Sequence, residues 1–407
     1  MNFNLSYQNL LDKGIINVFL AFFFSGLIFI LNILLPIIST PEKIGSVIYL
    51  VATSNLIAVI GGFGYSALLV RNLNVVKPDQ NFLNEAKFMI LASFIVMTII
   101  VFVLSIFKLL EINILTILIP LTYVIFISSF LKSVGRVELS TFIESFLRPI
   151  SMPITVILIS IFSFQNYTFM YALTAILIIF VSLIFLKQDP RFLFPSKIAL
   201  PKKNNFINSF SLMATSFIFI LFSQADIILV RNFLSEAEVS VFFLTTRISA
   251  IIFLVFISFK NKFLPQIAKL MDANKFMESK LIVRDFRQRA FYICIPLIAM
   301  ILIGATILEN YIYADDYSGL FVYVFTCSLI YIISSFLGAY EVFYIVSDSI
   351  RFLSLFYLVS LIIGVFSSIS LYLLGFGFWS FLAGHCIAFL SSSIMIRLNL
   401  KLCINDN

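Results

Sequence analysis

The 407-residue chain is 61% hydrophobic and only 12% charged, about half the ~25% of a soluble domain. No single globular core can hide that much apolar surface, so lipid has to be the solvent for most of it, and a soluble enzyme is excluded. The net charge of +7 implies no nucleic-acid partner, because the basic residues lie in short loops between apolar runs, where membrane topology explains them.

In chain order, apolar runs close to the ~20 residues that cross ~30 Å of hydrocarbon fall at 14–38, 44–70, 88–107, 112–131, 146–164 and 167–186. After a polar break, six more follow at 210–230, 239–259, 291–308, 320–337, 352–374 and 378–396. The first run follows Lys13 and lacks a small-x-small cleavage site, so it reads as a retained span rather than a signal peptide. The expectation is an all-α membrane protein of about twelve transmembrane helices. Residues 1–190 form an N-terminal six-helix bundle, 191–209 a linker, and 210–407 a C-terminal six-helix bundle.

Orientation follows from Lys and Arg. With the N-terminus on the cytoplasmic side, only Lys43, Lys108 and Arg231 of the 27 basic residues fall outside, and Arg247 falls within a span. Both termini are therefore expected in the cytoplasm, together with the linker and the basic stretch 260–290. That stretch carries Phe263, Ile267, Leu270, Phe276 and Leu281 at helical spacing, which predicts an amphipathic helix lying on anionic headgroups.

Several polar groups sit inside or at the ends of the runs. Arg71 closes the second, and Lys132 and Arg136 follow the fourth; snorkelling accounts for each. Glu144 and Arg148 are spaced i, i+4 at the cytoplasmic start of the fifth run, just ahead of Pro149 and Pro153, which free carbonyls and kink a helix. Asp226 and Arg247 lie at similar distances from the turn near Ser235, so an ion pair between neighbouring spans is expected. That pair serves equally well as a structural lock or in substrate or proton handling. His385, among Ala383, Gly384 and Ser391, reads as a helix-packing histidine with one hydrogen bond, with a proton relay as the lesser alternative; Glu341 reads as a loop residue and Trp379 as an interface anchor.

Cys294, Cys327, Cys386 and Cys403 form no CxxC pair, and His385 is the only histidine, so no Cys/His zinc site can be built and no cofactor is expected. There is no GxxxxGK[ST], HExxH or GxSxG, which leaves no basis for nucleotide-driven pumping or hydrolysis by the chain itself.

The halves repeat. An offset of 194 aligns 31–50 with 225–244 without a gap, pairing Glu42 with Glu236, Ser46 with Ser240 and Asn32 with Asp226. Six spans per half is even, so the halves enter the membrane in the same direction and form a parallel repeat, with a substrate cavity expected between them.

The chain resembles the polysaccharide-transporter branch of the multidrug/oligosaccharidyl-lipid/polysaccharide (MOP) exporter superfamily, the Wzx-like O-antigen and capsule flippases. The resemblance is carried by Gly61-Gly62-Phe63-Gly64-Tyr65-Ser66-Ala67 ending on Arg71, and by Ser133-Val134-Gly135-Arg136 followed by Glu144 to Pro149. It continues through Asp226-Ile227-Ile228-Leu229, Glu236, Val239, Arg247-Ile248 and Pro265-Gln266-Ile267-Ala268. It implies a MATE-like fold of two bundles, and a flippase that moves undecaprenyl-pyrophosphate-linked oligosaccharide across the bacterial inner membrane. It also implies contact with membrane lipids and with polysaccharide polymerase and chain-length proteins. Arg247, Arg148 and Arg71 are then candidates for the diphosphate, with Asp226, Glu144 and Asn32 lining the same cavity. The competing readings are a cation-coupled multidrug antiporter of the same superfamily and a polytopic polysaccharide polymerase or ligase. The former would favour carboxylates deep in a bundle, where Asp226 is the convincing one. The latter would need a long outer loop, whereas the long loops here are expected inside.

Overall fold

The computed structural model describes residues 3–71, 80–106, 112–162, 164, 166–186, 199–347 and 349–400. Lys108 and Cys403, used above for topology and cysteine chemistry, lie outside these residues, as do the side chains of Lys13 and Arg71. All regular structure among them is helical. The first unit contains α1 (Phe3–Ile38), α2 (Pro41–Ala58), α3 (Tyr65–Arg71), α4 (Gln80–Ile106), α5 (Leu115–Ser133), α6 (Val137–Phe142), α7 (Ser151–Phe162) and α8 (Tyr167–Leu186). Then come α9 (Lys203–Phe233), α10 (Glu236–Ser249), α11 (Ile251–Asp272), α12 (Phe276–Ile307), α13 (Leu320–Gly338), α14 (Glu341–Val346), α15 (Ile350–Leu373) and α16 (Phe378–Leu398).

Ten of the described helical stretches are long and apolar enough to cross a membrane, and eleven if a pair bent by 55° at Gly61 counts as one; within α1, the part Phe22–Ile38 is apolar but shorter. Their outward faces carry Ile95, Phe180, Ile184, Ile303 and Phe366, each more than half exposed, as lipid tails require. This is a multi-pass membrane protein.

The bend has a local cause. Across Gly61–Gly64 the backbone tightens into a 3₁₀ turn, with φ of 70° at Gly62, 47° at Phe63 and 77° at Gly64. Positive φ at a phenylalanine is strained. It is held because the Gly62 N–H donates to Ser93 Oγ at 2.8 Å, replacing a helical acceptor. At Gly64 a second backbone comes so close that a Cβ would collide with the carbonyl of Ser209 and the amide of Met213 on α9. We therefore expect Gly64→Ala to destabilise the protein by roughly 2–4 kcal/mol, from left-handed strain plus overpacking. A clear drop in detergent melting temperature checks this, with Gly26→Ala, where a Cβ meets nothing, as the control.

The chain divides into two compact units, Met1–Ile220 and Leu221–Asn407. The boundary lies inside α9 rather than at the end of the predicted linker. The reason is that the start of α9 packs into the first unit: Gly64 abuts Ser209, Leu212 joins the cluster of Tyr65, Leu83, Ile127 and Phe130, and Asn205 Nδ2 donates to Glu85 Oε2 at 2.9 Å. In the second unit α15 and α16 meet through Gly364, Gly384 and Ala388, small residues that let helix backbones approach.

Residues 260–290 are helical but do not form a single helix lying flat. They are the facing ends of α11 and α12, joined at a turn where Asn274 takes φ 57°. The apolar spacing is used inside this hairpin: Phe263 stacks on Phe286 with ring centroids 6.0 Å apart, and Ile267 is fully buried. Leu281 alone of the predicted apolar face is largely exposed, at 62%.

Candidate functional site

The second unit buries a three-residue polar chain. Asp226, on α9, is 6% exposed, and its Oδ2 lies 2.5 Å from Nδ1 of His385 on α16. The other ring nitrogen, Nε2, lies 2.6 Å from the hydroxyl of Tyr331 on α13. Three helices thus fix both nitrogens of one imidazole. The rings of Phe242 and Phe389 close over it at 5.6 and 4.7 Å between centroids. Cys386, next to His385, and Cys327, one turn before Tyr331, are both buried beside this chain. Such a chain can hold a proton on imidazole against a carboxylate, or pass it between Asp226 and the phenol.

This arrangement corrects two expectations. Asp226 is not paired with Arg247; its carboxylate turns toward α13 and α16, and His385 has two hydrogen-bonding partners rather than one. Arg247, on α10, has its guanidinium 5.0 Å from the ring centroid of Phe243, and its side chain is exposed. Among the described residues no carboxylate lies within ion-pair distance of it. Their similar distances from the turn near Ser235 placed Asp226 and Arg247 at matching depth, but depth says nothing about which side of a helix each side chain leaves from.

In the first unit the expected Glu144–Arg148 pair is also replaced. Residues Ile143–Leu147 wind as a π turn, with the Arg148 N–H donating to the Ile143 carbonyl at 2.9 Å, five residues back. The extra residue per turn rotates Arg148 off the face of Glu144. Arg148 Nη2 instead donates to Asn55 Oδ1 on α2 at 2.5 Å. Glu144 accepts from Lys132 Nζ and from Ser128 Oγ, each at 2.5 Å, and Ser128 also bonds Ser140 at 2.9 Å. Asn32 leaves its Oδ1 buried without a hydrogen bond, an acceptor available to a donor from outside the chain. Arg71 ends α3, apart from both groups in sequence and with no described side chain. The structure therefore resolves the candidates into separate arrangements: Arg148 with Asn55, Glu144 with Lys132, and Asp226 with His385.

Sequence reasoning missed Tyr331, Asn55 and the pair Lys260–Glu341. Glu341 is no loop residue: it opens α14, lies 2.6 Å from Lys260 Nζ and accepts from the Tyr357 hydroxyl at 3.2 Å. A lone histidine in 407 residues was the available signal for its own site. Nothing in the spacing singles out Tyr331 from the other fifteen tyrosines.

The described architecture is a MATE/MurJ-like fold. It superimposes on an inward-facing MATE-family multidrug resistance transporter with a TM-score of 0.67 at 13% identity, over 93% of this chain and 94% of that one. The lipid II flippase MurJ, in an inward closed conformation, matches with a TM-score of 0.64 at 14% identity, over 95% of this chain and 87% of the other. The MATE transporter ClbM in complex with Rb⁺ matches at 0.57 and 14% identity, over 96% and 94%. By sequence, no family model and no curated protein matches the chain.

Proposed function

We propose that this protein is a flippase that carries an oligosaccharide linked to undecaprenyl pyrophosphate, an O-antigen or capsule repeat unit, across the bacterial inner membrane by alternating access. The observation that supports this most is Arg247. A guanidinium inside an apolar span costs ~2.5–3.5 kcal/mol on insertion scales unless water or an anion meets it. Arg247 lies within the stretch Glu236–Leu264, exposed and without a carboxylate among the described residues. Guanidinium binds phosphate in a bidentate fork, so a diphosphate headgroup is the complementary ligand, with Arg148 as a second candidate. The polyprenyl tail can remain in lipid. Asp226, already engaged by His385, offers little to a cationic drug, and the Asp226–His385–Tyr331 chain reads as the proton-exchanging element that couples transport. Membrane lipids, a polysaccharide polymerase and chain-length proteins are the partners of this reading, which contains no catalytic step.

The second reading, a cation-coupled multidrug antiporter, draws on the likeness to MATE transporters and on Asp226 as an acid inside the bilayer. Reconstitution separates the two. Proteoliposomes supplied with a lipid-linked oligosaccharide are expected to translocate it faster than protein-free vesicles. Ethidium efflux with no such acceleration would transfer the assignment to the antiporter.

A further inference from the structure

The second unit contains a cavity of about 300 Å³ that the site described so far does not use. Its wall includes Ser334 and Ser335 on α13, Ser393 on α16, Tyr357 on α15, and the Lys260–Glu341 pair. The hydroxyls of Ser334 and Ser335, residues 2% and 9% exposed, make no hydrogen bond to the protein. A buried hydroxyl without a partner costs about 1–3 kcal/mol, so two of them facing one cavity call for a polar occupant. At ~30 Å³ per molecule, the cavity has room for on the order of ten waters.

Helical spacing ties this cavity to the buried histidine. On α13, Tyr331, Ser334, Ser335 and Gly338 follow i, i+3, i+4, i+7, and on α16 so do His385, Phe389, Ser392 and Ser393, at i, i+4, i+7, i+8. Two packed helices thus carry one polar stripe each, from the His385–Tyr331 bond to the serine-lined cavity. The cavity's inner end is closed by Phe253 and Phe389. The Phe253 ring lies 4.4 Å from that of Tyr331, and the Phe389 ring 4.7 Å from that of His385. One aromatic layer therefore separates the cavity from the imidazole. Its far end lies at Lys260 and Glu341, on the face that the basic residues assign to the cytoplasm.

We propose that this cavity is a hydrated vestibule that delivers protons from that face to Tyr331 and His385, with Phe253 and Phe389 as its plug. The proposal rests on the coupling role given above to the Asp226–His385–Tyr331 chain. The groups facing the imidazole are Asp226 from α9, Tyr331 and Cys327 from α13, and Cys386 from its own helix, while Arg247 from α10 acts on Tyr331. Of these, His385 is the one whose ordinary pKa, ~6.5, allows exchange near neutrality. The proton moves as hydronium through the vestibule to an imidazole nitrogen and leaves by the reverse step, so no bond other than N–H or O–H is made or broken.

The test uses the full-length protein in a Cys403→Ser background, which is itself treated with the reagent to measure any reaction at Cys294, Cys327 and Cys386. Ser335→Cys, Ser393→Cys and, as a lipid-facing control, Ile362→Cys, at a residue 60% exposed, are treated with a small, charged, membrane-impermeant methanethiosulfonate. The two serine positions are expected to react and Ile362→Cys to stay unmodified. Modification is further expected to remove the response of transport to pH between about 5.5 and 7.5, the interval over which an ordinary imidazole titrates. Serine positions as inert as Ile362→Cys would overturn the vestibule. So would modification that leaves the pH response intact. Labelling needs no substrate, so a protein that labels but never translocates lipid-linked oligosaccharide reports failure of the flippase reading instead.

Discussion

Asp226→Asn is expected to abolish the pH response of transport and to lower its rate near pH 6 by about two orders of magnitude. Asn keeps the shape and can still hydrogen-bond His385 Nδ1, so the helix packing around it survives. What it removes is the counter-charge at 2.5 Å from an imidazole with Phe242 and Phe389 over its faces. Breaking a buried charge pair by removing one partner costs ~3 kcal/mol, which is about a hundredfold in the population of the protonated, paired state. Transport measured in proteoliposomes at several pH values, alongside the melting temperature in detergent, checks this. Tyr331→Phe, which leaves Asp226 and its contact with Nδ1 in place, is expected to retain a pH response with an altered midpoint. If Asp226→Asn transports normally with its pH dependence unchanged, the Asp226–His385 contact is a packing contact and the coupling site lies elsewhere.

The hydrophobic runs made the membrane helices legible, because a lipid-facing segment has to be apolar over its whole length whatever it packs against. Gly61 to Gly64 was legible as a motif, and its consequence, a 55° bend with φ positive at Phe63, follows from what three glycines in four positions permit. The polar contacts were not legible in the same way. Glu144 and Arg148 satisfied the i, i+4 rule, and a π turn of one extra residue cancelled it. Equal distance from the turn near Ser235 put Asp226 and Arg247 at one depth, while the azimuth of each side chain was set by which helices pack beside it. Asp226 therefore found a partner 159 residues away on α16. The basic stretch 260–290 was correctly apolar on one face, but an amphipathic face is blind to whether lipid or another helix covers it. Here Phe286 covers Phe263. Periodicity fixes which residues share a face; the partner of that face is a tertiary property.

Arg247→Ala offers the sharpest contrast, because a structural and a substrate-binding arginine predict opposite changes in stability. An arginine that locks helices by an ion pair, once truncated, leaves a buried unpaired charge behind and destabilises by ~3–5 kcal/mol. Arg247 has no such partner among the described residues. It touches the Phe243 ring, and an exposed cation–π contact is worth ~0.5–1 kcal/mol. Removing its charge from an apolar span also relieves the insertion cost, ~2.5–3.5 kcal/mol on translocon scales. The melting temperature of Arg247→Ala is therefore expected to stay level or rise. Transport should change the other way. A hydrogen-bonded contact to a charged group contributes ~1.5–3 kcal/mol, so half-saturation by a lipid-linked diphosphate is expected to need about 10- to 150-fold more substrate. Arg247→Lys keeps the charge but loses the bidentate fork, and should fall between the two. A neutral lipid-linked analogue without the diphosphate should not distinguish Arg247→Ala from the parent protein. A fall in stability together with unchanged dependence on the diphosphate would make Arg247 a packing residue, and would remove the observation on which the anionic-substrate reading chiefly rests.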